Sequence, residues 1–314
     1  MNPKNILLIW IGRVGDFIVS TPFLASVRQA FPEAHITLLV RSTVSDLANL
    51  DPNLNECCAL SFSQFLSVPF KKFDLVIDLN PSYSRTSGFL SLLTHSPRRI
   101  SFQKKRGNLF YTDQVPFDEK DHMLERYRKL AKYMGNSLEP FPQVYPLSSH
   151  RQEAGQILSR LNLNKDRKLI GIHPGNFKKF DHRWPEEKFV ELTKKLTKVP
   201  QIQILYLTGP GEEEPIRKIL EKIPVKIPQV PPTSLPVSAA LIKKLSLLIA
   251  NVTGTLHLAA AVGTPTLSFH SGYTYQIWRP LRESHAAIVS KSWASCRDIS
   301  VEEAWKKLYQ IVVK

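Results

Sequence analysis

One arrangement constrains this chain more than any other. A continuous apolar run ends at a glycine-bearing turn and passes straight into a helical pattern, and the same alternation restarts after a proline-rich connection. Residues 5–10 read NILLIW, the turn is Ile11-Gly12-Arg13-Val14-Gly15-Asp16, and Phe17, Leu24 and Val27 mark the helix. A strand that is apolar at every position is buried on both faces, as in parallel sheets covered by helices. Residues 35–40 (HITLLV) and 74–79 (DLVIDL) read as further strands, the second stopped by Asn80-Pro81. Residues 121–134 form an amphipathic pattern stopped by Gly135.

Residues 137–148 (SLEPFPQVYPLS) carry three prolines and no periodicity, which makes them the linker candidate. Beyond them helices are expected over 151–161, 185–196, 212–223, 257–262 and 300–312. Strands are expected over 168–173, 202–207, 246–250 and 266–269. Strands alternating with helices give an α/β fold with parallel sheets. Two α/β units in tandem are expected, 1–148 and 149–314. Ligands in such sheets bind outside the carboxyl ends of the strands, so the loops there are where chemistry is sought.

The 314 residues hold 42 Lys+Arg against 27 Asp+Glu, a net charge of +15, and residues 151–314 carry most of the excess. This balance points to an anionic partner: nucleic acid, a phosphorylated small molecule or an anionic membrane surface. The three cysteines form no CxxC pair and no disulfide framework, so neither a metal site nor a cofactor is expected, and the pattern fits a reducing cytoplasm. No run approaches the ~20 apolar residues of a spanning helix, and the N-terminal run lacks a cleavage-site pattern. The expectation is a cytoplasmic protein, at most peripheral on a membrane.

Five segments carry candidate chemistry. Gly12 to Asp16 follows the first strand; its glycines permit a tight turn and close ligand approach, and Asp16 reads either as a first-turn carboxylate favoured by the helix dipole or as a general base. Residues 173–185 (HPGNFKKFDHRWP) put Asn176, Lys178, Lys179, His182 and Arg183 in one loop, a solvated basic loop or a diphosphate site. Thr253-Gly254-Thr255 opens a small-residue helix carrying His257, and free backbone N–H groups there suit an anion. Thr208-Gly209-Pro210-Gly211 leads into Glu212, whose main reading is a dipole-favoured acid and whose minority reading is a nucleoside contact. Arg98-Arg99 and Lys104-Lys105-Arg106 fall within nine residues without an acid, a solvated face or a site for a phosphorylated acceptor or lipid headgroups. Nucleic acid is not expected, because regular aromatic interleaving and zinc-finger or RRM signatures are absent.

Taken in order, these segments resemble the ADP-heptose:lipopolysaccharide heptosyltransferase family, glycosyltransferase family 9. Gly15-Asp16 with Thr21-Pro22, His173-Pro174-Gly175 with Arg183-Trp184-Pro185, Gly209, Asn251 to Ala261, and Phe269 with Trp278-Arg279-Pro280 carry the resemblance nearly end to end. It implies the GT-B architecture, two Rossmann-like domains facing across a cleft, with the last helix (about 300–314) packing back on the N-terminal domain. It implies an inverting, metal-independent transfer of heptose from an ADP-heptose donor to an anionic glycolipid acceptor, the lipopolysaccharide inner core, at the cytoplasmic face of the inner membrane. Asp16 would be the base. Asn176, Lys178, Lys179, His182, Gly209, Glu212, Thr233, Val252, Thr253, Gly254, Thr255 and His257 would serve the donor. Arg13, Gly15, Arg98, Arg99, Lys104, Lys105 and Arg106 would serve the acceptor. Two departures stand out. Val252 occupies the place of the family's donor-contacting aspartate, and His182 that of the lysine before RWP. They leave open a different nucleotide sugar, or a degenerate member that binds without turnover.

Overall fold

The computed structural model describes residues 3–312 apart from 62, 64–66, 69–70, 139–140, 176 and 178–181. The chain divides into two units, residues 1–145 and 146–314. In the first, β1 (Asn5–Trp10), β2 (His35–Val40), β3 (Glu56–Ala59), β4 (Leu75–Asp78), β5 (Arg98–Phe102) and β6 (Asp113–Val115) form one sheet. The strands run in the order β3-β2-β1-β4-β5-β6, and every pairing is parallel. Helices α1 (Val14–Ala30), α2 (Ser42–Ala48), α3 (Arg85–Leu93) and α4 (Met123–Tyr133) belong to it. The five buried positions of β1 and of β2 confirm the two-faced burial read from their unbroken apolar runs.

The second unit repeats the plan. Strands β7 (Lys168–His173), β8 (Ile202–Leu207), β9 (Gln229–Val230), β10 (Leu247–Asn251), β11 (Thr266–His270) and β12 (His285–Val289) lie in the order β9-β8-β7-β10-β11-β12, again all parallel. Its helices are α5 (Ser148–Ser159), α6 (Glu186–Leu196), α7 (Glu213–Leu220), α8 (Leu235–Ile242), α9 (Gly254–Val262), α10 (Gly272–Trp278) and α11 (Val301–Val312). In each unit the order reverses beside the first strand, between β1 and β4 and between β7 and β10. Such switch points open a crevice at the strand carboxyl ends.

In the closing helix, Val301, Ala304, Leu308 and Val312 are buried in the core of the second unit. Lys195 of α6 pairs with Glu302 at 2.6 Å, and Lys168 Nζ donates to the Val312 carbonyl at 2.8 Å. Short polar elements, β3, β5, β6, β9 and β12 among them, had no clear sequence signal. Most sit toward sheet edges, where the apolar run is short.

Candidate functional site

The parallel strands sort the expected residues by edge. In the first unit, β1 delivers Gly12 to Asp16 at its carboxyl end. Gly12 is required there, because a Cβ would come within 2.4 Å of the Trp10 ring. Arg13, exposed, stands at the N-cap of α1, Gly15 is buried, and Asp16 is half-buried in the first helical turn. Burial first, and the Asp16 charge next, hold the Tyr127 phenol well above its ordinary range. That phenol therefore stays protonated, and it donates to the Leu79 carbonyl at 3.0 Å.

Asn80, read in the sequence only as a strand stop, pins this turn. Its Oδ1 accepts from the Ile11 N–H at 3.0 Å and its Nδ2 donates to the Ile9 carbonyl at 3.3 Å, so one side chain bridges the β1/β4 crevice. Asn80 is in turn held by Asp78, whose Oδ1 accepts from the Asn80 backbone N–H at 3.0 Å and from Nδ2 at 2.5 Å. Asp78 Oδ2 accepts from Ser87 Oγ at 2.8 Å, from the Tyr111 hydroxyl and from Lys104 Nζ at 2.6 Å.

That arrangement corrects the reading of the basic run. The Lys104 side chain is 1% exposed and is committed to Asp78, so it is no acceptor contact. Arg98 and Arg99 begin β5, at the opposite edge of the sheet from Asp16, roughly 13 Å along a strand rising about 3.3 Å per residue. Arg98 faces Asp113 at 3.6 Å, and Arg99 donates to the Phe110 and Ser96 carbonyls at 2.9 and 2.6 Å. Lys105 and Arg106 follow β5, at the same edge as Asp16, and both are exposed; Lys105 meets Glu119 at 2.8 Å.

In the second unit the carboxyl ends of β7, β8 and β10 converge. His173 ends β7, and its Nε2 lies 2.9 Å from Glu212 Oε2, while its Nδ1 lies 3.3 Å from Thr253 Oγ1. The carboxylate only accepts, so Nε2 carries the proton of that bond. Glu212 Oε2 also accepts from the Gly209 N–H at 2.9 Å. Its carboxylate is thus turned back to the strand ends as well as standing at the N-cap of α7. Gly175, at φ +35°, closes the group from above, because a Cβ there would come within 2.3 Å of His173 and 3.0 Å of Thr253.

Thr253 is the N-cap of α9 and makes no side-chain capping bond, so the first N–H groups of Gly254 and Thr255 point outward from the helix start. His257 follows in the first turn, buried, its ring 6.0 Å from that of Trp278. Val252 is half-buried beside them. Thr233 follows β9 and hydrogen-bonds Ser238 Oγ at 2.7 Å. His182, at φ +58°, places Nδ1 2.7 Å from Ser271 Oγ at the end of β11. Arg183 is turned away to Glu186 at 3.1 Å. Asn176, Lys178 and Lys179 lie outside the described residues.

Asn251 plays the part here that Asn80 plays in the first unit. Its Oδ1 accepts from the Trp184 N–H at 2.8 Å and its Nδ2 donates to the Pro174 carbonyl at 2.6 Å, so it grips both ends of the 174–184 loop across the β7/β10 crevice. Trp184 is buried, stacked on Phe269 with centroids 4.0 Å apart, and donates Nε1 to the Ile299 carbonyl at 2.9 Å. His173, Asn80, Asn251 and Ser271 were not singled out as site residues. His173 and Asn251 lay within segments that carry the family resemblance, while Asn80 and Ser271 had only adjacency to a proline or glycine after a strand as their signal. The cysteines offer no nucleophile: burial pushes the thiols of Cys57, Cys58 and Cys296 up to about 12, 11 and 12. Among the described residues no three His, Cys, Asp or Glu side chains gather as a metal set.

Comparison with known proteins agrees with this geometry. The lipopolysaccharide heptosyltransferase 2 of Salmonella typhimurium is 24% identical over 311 residues, covering 91% of this chain and 87% of that protein. A crystal structure of a family 9 glycosyltransferase from Veillonella parvula superimposes with a TM-score of 0.87 at 20% identity, covering 99% and 97% of the two chains. Escherichia coli heptosyltransferase WaaC, solved with ADP-2-deoxy-2-fluoro heptose, gives 0.72 at 19% identity over 98% and 99%. These likenesses carry the GT-B fold. The profile of glycosyltransferase family 9 (heptosyltransferase) matches residues 65–306, and the chain belongs to that family of glycosyltransferases.

Proposed function

We propose that the protein transfers heptose from ADP-heptose to the inner core of lipopolysaccharide, with inversion and with Asp16 as general base, at the cytoplasmic face of the inner membrane. The observation that carries the donor half is the joined His173–Glu212–Thr253 group beside the uncapped start of α9. Outward N–H groups and the positive end of a helix dipole suit a diphosphate, and charge developing on the leaving ADP meets donors already in place. Thr253, Thr255 and His257 line that helix start. Glu212, Gly209 and Thr233, at the ends of β8 and β9, face the nucleoside side. A WaaC structure bears an ADP-heptose analogue, which supports ADP-heptose as the donor.

In the acceptor half, the Asp16 carboxylate takes the proton of the attacking sugar hydroxyl. The hydroxyl oxygen bonds to the anomeric carbon as that carbon's bond to the β-phosphate oxygen breaks. The transition state is oxocarbenium-like, and ADP leaves with the electron pair. Arg13 and Gly15 flank that carboxylate, and Lys105 and Arg106 offer charge to a phosphorylated core.

The test is product formation from ADP-heptose and a deacylated core acceptor, wild type against Asp16→Ala. Turnover should fall at least about a hundredfold. A variant as fast as wild type rejects Asp16 as base. A second reading rests on Val252: nucleotide-sugar binding without turnover. Calorimetric binding with no product across ADP-, UDP- and GDP-sugars selects it.

A further inference from the structure

We infer that the outer face of α3 and the 105–110 loop is a docking surface for an anionic lipid bilayer. This choice of partner rests on the proposed glycolipid acceptor; the surface itself rests on other observations. Between Asp78 and Asp113 the chain has 34 consecutive residues without one acid, and six Lys or Arg. The structure separates those cations. Lys104, Arg98 and Arg99 are bound internally, as described. Arg85 and Arg106 are exposed and make no ion pair among the described residues, and Lys105 is exposed beside them in sequence. All three follow the carboxyl ends of β4 and β5, the edge that carries Asp16.

The same face exposes large apolar side chains where a solvent-facing helix is ordinarily polar. Phe89 and Leu92 of α3 are exposed, as is Tyr83 just before it, and Leu109 at the loop tip is 91% exposed. Phe89 and Tyr83 gather about Phe110. The Phe89 and Phe110 rings lie 5.1 Å apart, Gly88 lets Phe110 sit against α3, and Gly107, at φ +82°, brings the Tyr83 and Phe110 rings against the loop. A fully exposed leucine at the end of a loop buries nothing within its own unit. Exposed apolar side chains on a stretch with no acid in its sequence, with Arg85 and Arg106 making no ion pair among the described residues and Lys105 meeting only the exposed Glu119, match a headgroup layer over hydrocarbon. A nucleic acid would use the cations and leave Leu109 and Leu92 unexplained, because stacking needs rings. A glycolipid anchored there would present its sugars at the edge where Asp16 stands.

The test is co-sedimentation with vesicles of phosphatidylethanolamine and phosphatidylglycerol against phosphatidylcholine alone, with Leu109→Glu, Phe89→Ser and Arg85→Gln. Wild type should prefer the anionic vesicles, with binding that falls as salt rises. Arg85→Gln should lower partitioning about fivefold, the equivalent of about 1 kcal/mol for one surface cation. Leu109→Glu should lower it about tenfold or more. Thermal melting of each variant should match wild type, and so should turnover on a water-soluble deacylated acceptor, while turnover on vesicle-embedded acceptor falls with binding. Equal binding to both vesicle types, or variants that bind as wild type does, overturns the inference. So does an oligomer by sedimentation velocity that Leu109→Glu dissociates, which makes the face a contact between copies. Vesicle binding is read without turnover, so failure of the Asp16 reading leaves this test standing.

Discussion

Replacing Lys104 by methionine separates a structural lysine from the surface cations beside it in sequence. Lys104 Nζ sits 2.6 Å from Asp78 Oδ2 and 3.2 Å from the Tyr111 hydroxyl, with the two charged side chains 1% and 0% exposed. At an effective dielectric near 20, unit charges at that separation attract by about 6 kcal/mol, set against the cost of removing both from water. Truncating one partner removes the attraction and leaves a buried carboxylate, which costs about 3–5 kcal/mol. Asp78 keeps its hydrogen bonds from Ser87, Asn80 and Tyr111, so the expected loss lies near the lower end, about 3 kcal/mol. Burial, and then the Asp78 charge, hold the Tyr111 phenol above its ordinary range, so it remains a donor and does not replace the lost cation. The assay is urea unfolding followed by fluorescence, with Lys105→Met as the exposed control and Asp78→Asn to close a double-mutant cycle. Lys105→Met should leave the midpoint unchanged. The double variant should lose less than the two single losses together, because no unpaired charge remains. Equal midpoint shifts for Lys104→Met and Lys105→Met, or a coupling below about 1 kcal/mol in the cycle, refute the reasoning.

Four further outcomes are expected. Asn80→Ala frees the Ile11 N–H and loosens the turn that carries Asp16, so kcat should fall by tenfold or more with donor KM little changed; a change confined to donor KM would contradict this. Asn251→Ala releases both ends of the 174–184 loop, and the donor KM should rise with unfolding shifted by about 1–3 kcal/mol for the orphaned groups. His270 is wholly buried and burial lowers it to about 4, so its stabilising effect is complete above the ordinary histidine value of 6.5 and is lost as pH falls from 6.5 toward 4. That loss is about 3 kcal/mol, and His270→Gln should flatten the dependence of Tm on pH across this window. Turnover should persist in excess EDTA, since the proposed mechanism meets the diphosphate with protein donors; a rate abolished by chelation and restored by a divalent cation contradicts it.

Four of the internal strands were legible to the residue. Strands β1, β2, β7 and β8 have the bounds that their apolar runs announce, because a strand buried on both faces has no polar position to blur it. The strand-end turns were legible too, since Gly12 and Gly175 answer local steric demands that a sequence displays. Strand β5 was not. RRISF carries two arginines at its start, and beside Lys104 to Arg106 the segment reads as one basic run. Pairing with β4 divides it into an amino edge, a buried lysine and a carboxyl edge.

The sequence by itself determined the two doubly wound parallel units, because unbroken apolar strands, glycine turns and intervening helices satisfy burial and hydrogen bonding in few other ways. It also determined that Asp16, Glu212 and Thr253 would stand at strand carboxyl ends, since a loop that follows a parallel strand has no other place to be. Only the tertiary structure decided which charges are spent and which partners hold the turns. Lys104 meets Asp78 from 26 residues away, His173 meets Glu212 from 39 and Thr253 from 80, and Asn80 reaches Ile9 from 71. Those meetings follow from the order of strands within a sheet, and strand order is a property of packing that no local stretch of residues encodes.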